Sequence, residues 1–207
     1  MQKSLTNYAF IDTQNLYMAS REAGWKVNWE RFFIYLREKF KVKRAYIFVG
    51  YLPQNVDWYE ALREIGYSLV FKEVVYQGRV VKGNVDVELA VKTMIDLEFF
   101  DKAVLVSNDG DFAYLVKYLN RQNKLETVLS TSHKKSSYLL RKAAQGRIWY
   151  LNEVKDRIKN RSRTARDGTL CHTTSWMIRR HCIISSPQRQ AAGKLSHSRF
   201  QMESCIW

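Results

Sequence analysis

The sequence predicts an α/β fold built as a mostly parallel, three-layer sheet. Two observations predict it. Short apolar runs rich in β-branched and aromatic residues alternate along the chain with segments whose apolar residues recur at i, i+3, i+4 and i+7. The short runs are also apolar throughout rather than in alternation, as strands buried on both faces are. Strands alternating with helices imply right-handed crossovers, with helices on both sides of the sheet.

Tyr8-Ala9-Phe10-Ile11 reads as the first strand and ends at Asp12. A helix follows through about Ala23, broken by Gly24. Asn28 caps a second helix with Trp29, Phe32, Phe33, Leu36 and Phe40 on its apolar side. Ala45–Val49 is the second strand. Pro53 and Asn55 open a helix bearing Trp58, Leu62 and Ile65, stopped by Gly66. Ser68–Phe71 is the third strand. Val74-Val75-Tyr76 and Arg79-Val80-Val81 flank Gln77-Gly78 as a small hairpin. Asn84 caps a helix with Val87, Ala90, Val91, Met94 and Ile95 on one face. Ala103-Val104-Leu105-Val106 is the pivotal buried strand. It stops at Ser107-Asn108-Asp109-Gly110, and Phe112, Leu115, Val116 and Leu119 mark the next helix. Glu126–Leu129, a helix from Ser136 to Ala144, and a short strand at Arg147–Leu151 complete the pattern.

With the order 3-2-1-4-5, the first and fourth main strands are neighbours at the switch point of the sheet. Asp12 and Asp109 then face one cleft, with Asp111 beside them and Asp86 in the first turn of the helix leading to the fourth strand. The plainer alternative is that these aspartates cap helices or complement their N-terminal dipoles.

The chain has 207 residues and a formal net charge of +14 from 34 basic and 20 acidic residues. That charge favours a polyanionic partner. No apolar run reaches the ~18 residues of a membrane span, and the N-terminus lacks a signal-peptide core, so a cytoplasmic protein is expected. Residues 1–155 are expected to form the domain and 156–207 a basic, disordered tail. No helical or strand period survives beyond Asn160, and residues 160–207 carry eight Lys/Arg against two Asp/Glu. Cys171, His172, His181 and Cys182 lie there. Their direct adjacency is poor spacing for structural zinc, whose paired ligands are usually two or more residues apart. Foreign or frame-shifted sequence is a third reading of this stretch.

Elimination narrows the chemistry. The core holds one histidine, His133, and no cysteine, so neither a two-histidine nor a Cys–His mechanism is available. No G-x-x-x-x-G-K-[ST] or G-x-G-x-x-G loop occurs. Carboxylates remain: Asp12, Asp86, Asp109 and Asp111. Carboxylates sharing a cleft repel one another unless protonated or metal-bound. Oxygen ligands of this kind select Mg²⁺ or Mn²⁺, which can clamp a phosphate and activate water.

Three segments occur in order: Phe10-Ile11-Asp12-Thr13-Gln14-Asn15, Lys82-Gly83-Asn84-Val85-Asp86-Val87 and Ser107-Asn108-Asp109-Gly110-Asp111-Phe112. They resemble the motifs of NYN domains (the LabA-like group) of the PIN-like nuclease superfamily, over roughly residues 6–155. The resemblance implies a PIN-like α/β/α fold and a metal-dependent ribonuclease that hydrolyses RNA phosphodiesters, with RNA, expected single-stranded, as partner. By position, Asp12, Asp86, Asp109 and Asp111 would be its metal carboxylates. Asn15 would orient water or phosphate. Many members carry a further acid about two turns into the central helix, where this chain has Lys92, with Glu88 nearby. The late acidic position is here Gln145-Gly146. Those departures keep a second reading open, a non-catalytic RNA-binding or regulatory module with the same fold. A sugar-nucleotide transferase using Asp109-Gly110-Asp111 is a weaker rival, since the core is too short for an acceptor domain. Arg79, Lys82, Lys134, Lys135, Arg141 and Lys142 form a candidate phosphate track. Trp25, Trp29 and Trp58 are expected in the core rather than as base-stacking platforms.

Overall fold

Because the strands are apolar on both faces, each must be covered twice, and the topology follows. A computed structural model describes residues 6–72, 75–77, 80–82 and 85–160. Six strands form one parallel sheet: β1 (Asn7–Asp12), β2 (Val42–Gly50), β3 (Ser68–Lys72), β6 (Ala103–Val106), β7 (Leu125–Ser130) and β8 (Ile148–Tyr150). Their order is β3-β2-β1-β6-β7-β8. The expected order is present, extended by β8 at the edge. β4 (Val75–Gln77) and β5 (Val80–Lys82) pair antiparallel as the separate hairpin. The hairpin turn and the expected cap Asn84 lie outside the described residues. Val85 occupies the N-cap position of α4 (Asp86–Ile95), with no side-chain cap bond.

Successive side chains of β1 point to opposite faces. Ala9 and Ile11 join Ile47, Val104, Val106 and Leu129 beneath α1 (Thr13–Glu22), α2 (Trp29–Phe40) and α3 (Val56–Ile65). Tyr8 and Phe10 join Tyr46, Phe48, Leu105 and Val128 on the other face. There the cover is α4, α5 (Ala113–Arg121) and α6 (Tyr138–Ala144). Trp25 is buried and bonds Asn152 Oδ1 at 2.8 Å, and Trp29 and Trp58 pack against the same layer. Trp25 is a core residue, and Trp29 and Trp58 are half-buried against the core.

Local signals set the helix ends. The Asn28 carboxamide accepts from Arg31 N at 2.9 Å and starts α2. Gly66 ends α3 at φ +112°, a left-handed value that favours glycine. A single 3₁₀ turn, Gly110–Phe112, precedes α5, so the helix after the pivotal strand begins later than its apolar spacing suggests.

The packed chain runs past residue 155. α7 (Lys155–Ile158) buries Ile158 completely, Asn28 N donates to Ile158 O at 2.8 Å, and Asn160 N donates to Lys26 O at 3.0 Å. These contacts tie residues 156–160 to the start of α2. Truncation after Asn160 is therefore expected to leave the melting temperature nearly unchanged. Ile158→Ala should cost about 2–5 kcal/mol by the cavity it leaves. Denaturant melts of the two variants check this. A loss of several degrees on truncation would make the later residues part of the fold.

Candidate metal centre

Parallel pairing of β1 with β6 sets Ile11 opposite Val106, so Asp12 and Ser107 emerge side by side at the same sheet edge. Asp12 is 4% exposed. One of its oxygens accepts from Asn15 N at 3.0 Å and caps α1, and the other accepts from Ser107 Oγ at 3.2 Å. Ser107 Oγ also accepts from Asp109 N at 3.1 Å. Asp109 Oδ1 caps the 3₁₀ turn through Asp111 N at 3.0 Å. The capping expected of Asp12 and Asp109 is thus present, and it occupies one oxygen of each.

Asp86, at the start of α4, comes to the same place. One carboxylate oxygen from each of Asp86, Asp109 and Asp111 lies within 4.8 Å of the others. Asp12 stands behind this trio. Its pKa is raised to about 6, chiefly by burial, with the nearby charges of Asp86 and Asp109 adding to the rise against the lowering effect of its bonds to Asn15 and Ser107. Three carboxylates at this spacing, backed by a fourth that feels their charge, fit a hard divalent cation. The donors are all oxygen, and a cation removes their repulsion. The three would be direct ligands, and Asp12 lies outside that trio.

Asn15 bonds the end of β6. Its Oδ1 accepts from both Asn108 N (3.0 Å) and Asn108 Nδ2 (2.8 Å). Asn108 Oδ1 in turn accepts from Ser130 Oγ and from Thr131 N at 2.7 Å, and its Nδ2 donates to Thr131 Oγ1 at 3.1 Å. Asn108 O accepts from Ser137 N at 2.9 Å. Asn15 therefore spends its carbonyl oxygen on tying α1 to the end of β6. Ser107 and Asn108 are the positioning residues that sequence reasoning passed over. They were visible only as turn-forming residues, because their partners lie on other elements. Gly110 completes the corner: a Cβ there would sit 2.5 Å from Ser137 Oγ and 3.2 Å from Ser137 Cβ, so any larger residue would force Ser137 to shift.

Lys92 lies away from the carboxylates. Its Nζ pairs with Asp96 at 2.8 Å and sits 5.1 Å from the Tyr46 ring centroid. Tyr46 is two residues below Phe48, which pairs with Asp12. Glu88 pairs with Lys72 at 3.0 Å and does not join the trio. The candidate phosphate track divides. Lys135 pairs with Glu22, and Arg141 Nη1 donates to the carbonyls of His133 (3.1 Å) and Ser136. Lys134 and Lys142 are exposed, without an ion pair among the described residues. Arg79 and the Lys82 side chain lie outside the described residues.

A six-stranded parallel sheet with carboxylates gathered past β1 and β6 is a PIN-like arrangement. The family model for the NYN domain matches residues 8–152, and the chain belongs to that family. The Low amplitude and bright protein LabA of Synechococcus elongatus is 29% identical over 133 residues, which span 59% of this chain and 72% of that protein. A crystal structure of a protein of unknown function from Vibrio parahaemolyticus aligns with a TM-score of 0.64 at 23% identity, covering 77% of this chain and 99% of the other. That likeness speaks for the fold. No helix among the described residues is long and apolar enough to cross a membrane.

The charge on Asp12 has a consequence for stability. Its folded pKa, about 6, lies above the ordinary 3.8. Its contribution is therefore favourable below about pH 4 and is lost as pH rises through 6. In metal-free buffer, Asp12→Asn should match the wild type near pH 4. It should become the more stable protein by pH 7, by up to roughly 3 kcal/mol. Thermal melts across that range check the sign. A gap that does not change with pH would contradict the placement of Asp12 against the trio.

Proposed function

We propose that this chain is a metal-dependent ribonuclease that hydrolyses RNA phosphodiester bonds. The observation that carries the proposal is the convergence of Asp86, Asp109 and Asp111 in a chain of the NYN family. Mg²⁺ or Mn²⁺ held there would supply Lewis-acid polarisation of a phosphate oxygen and a lowered pKa for bound water. The protein's own residues do the rest. Asp86 at the start of α4 and Asp109 and Asp111 at the β6 corner offer the oxygen ligands, and Ser107 and the Asn108 network hold that corner in place. Asp12 bonds to Ser107 behind them and adds negative charge that strengthens cation binding. RNA is the favoured polyanion, given the family and the charge of +14.

The alternative of a non-catalytic RNA-binding module rests on Lys92 standing in an acidic position. The contacts of Lys92 with Asp96 and Tyr46 supply a structural reason for it, and nothing in them favours the alternative. The test is cleavage of an end-labelled RNA by the full chain. Cleavage should require Mg²⁺ or Mn²⁺, stop with EDTA, and fall by about 10²-fold or more in Asp109→Asn and Asp86→Asn, since each removes a charged ligand. Lys92→Ala should leave the rate within about twofold while lowering stability. RNA binding with no metal-supported cleavage would establish the binding module instead.

A further inference from the structure

α5 and α6 leave the sheet from neighbouring parallel strands, cover the same face, and both begin at the carboxylate edge. Asn120 Nδ2 on α5 donates to Ala143 O on α6 at 2.7 Å and fixes their spacing. Between them lies a cleft of about 340 Å³ lined by Lys117, Asn120, Arg121, Lys142, Ala143 and Gln145. Lys117, Arg121 and Lys142 form no ion pair among the described residues. Cations gathered in a cleft without carboxylate partners leave their charge available to an anion.

The upper end of the same two helices carries aromatics. Tyr114 is 82% exposed and Tyr138 66% exposed. Tyr114, Lys117 and Arg121 stand at i, i+3 and i+7, one face of α5. Tyr138 and Lys142 stand at i and i+4, one face of α6, and Gln145 caps its end. Each helix thus places a tyrosine in its first turn, Tyr114 three residues after Asp111 and Tyr138 directly after Ser137, which packs on Gly110, with polar or basic residues further down. From Tyr114 to Arg121 is roughly 10 Å of helix. Tyrosines this exposed add nothing to the core, and neither ring stacks on another aromatic among the described residues.

We propose that the α5–α6 groove is a track for single-stranded nucleic acid, with bases stacked on Tyr114 and Tyr138 and phosphates led along Lys117, Lys142 and Arg121. An aromatic face stacks any unpaired base, whereas a duplex keeps its bases stacked on one another. Cations follow the backbone independently of sequence. The pattern therefore selects strands with free bases over duplexes, and it hands the strand to the carboxylate edge. In that direction the proposal rests on the nuclease reading, but binding to the track does not.

The test keeps the two apart by measuring binding of the full chain in EDTA, where metal-dependent cleavage is silent. The probes are a fluorescent mixed-sequence single strand of about twelve nucleotides as RNA and as DNA, the RNA duplex, and inorganic polyphosphate, which has charge but no bases. Tyr114→Ala/Tyr138→Ala should weaken both single strands roughly tenfold or more. It should leave the duplex and polyphosphate unchanged, and Tyr→Phe at both positions should restore affinity. Lys117→Ala/Arg121→Ala/Lys142→Ala should weaken all probes and flatten the salt dependence by roughly 0.7 for each phosphate no longer neutralised. Single-strand affinity untouched by the double tyrosine substitution overturns the track, and so does an equal loss for polyphosphate. If the tyrosine dependence holds but no metal supports cleavage, the track stands and the nuclease reading falls. If RNA is cut but binding ignores the tyrosines, the reverse holds.

Discussion

Asn108 is where three parts of the chain are closed on one another. Its backbone and side chain together bond Asn15 at the start of α1, Ser130 and Thr131 at the end of β7, and Ser137 at the cap of α6. The residue is buried, and so are its bonds to Ser130 and Thr131, whose groups would lose their partner without regaining water. A buried polar group left unpaired costs about 1–3 kcal/mol, more than the net gain from forming the bond. Such a network either forms completely or fails expensively, and that gives the β6 corner a single conformation. Asp109 and Asp111 inherit their positions from it, with Gly110 allowing the close approach of Ser137.

The precision of that corner is set against an electrostatic cost. The fold gathers Asp12, Asp86, Asp109 and Asp111 at one sheet edge, and the pKa of Asp12 is raised first by its burial and then by the charges of Asp86 and Asp109. Capping and metal binding are not rival roles here. Asp12 and Asp109 each direct one oxygen to a backbone N–H and so fix the carboxylate's orientation. The cap bonds also offset part of the repulsion, because a hydrogen bond to an ionised carboxylate favours the charged form. A divalent cation at the trio would lower the repulsion that the gathered carboxylates share.

Much of the architecture was legible because it follows from one-dimensional patterns. Strands buried on both faces are apolar throughout, and the alternation with helical periods fixes the layers and the adjacency of β1 and β6. The carboxylates were legible because they sit where strands and helices end, which places them on one edge once the order is known. The bonds between Asn15 and Asn108 were not, since an asparagine in a turn looks the same whether it faces solvent or joins α1 to β7. The lysines and arginines were equally opaque: Lys135 and Arg141 are spent on Glu22 and on backbone carbonyls, and Lys92 on Asp96. Only packing separates those from Lys142. The tyrosines of α5 and α6 read as part of amphipathic helices, and their exposure emerges from the way the two helices lie on the sheet.

The central claim is that the trio of aspartates holds one divalent cation. Equilibrium titration with Mn²⁺, followed by the loss of the free-ion electron paramagnetic resonance signal, measures it directly without any substrate. One strongly bound ion per chain is expected for the wild type, with affinity rising as pH increases through about 6 because protons on Asp12 oppose the bound charge. Asp86→Asn and Asp109→Asn should each lose that ion while keeping the wild-type fold. Mn²⁺ bound equally by the wild type and both variants, or not at all, would contradict the assignment of these carboxylates to a metal.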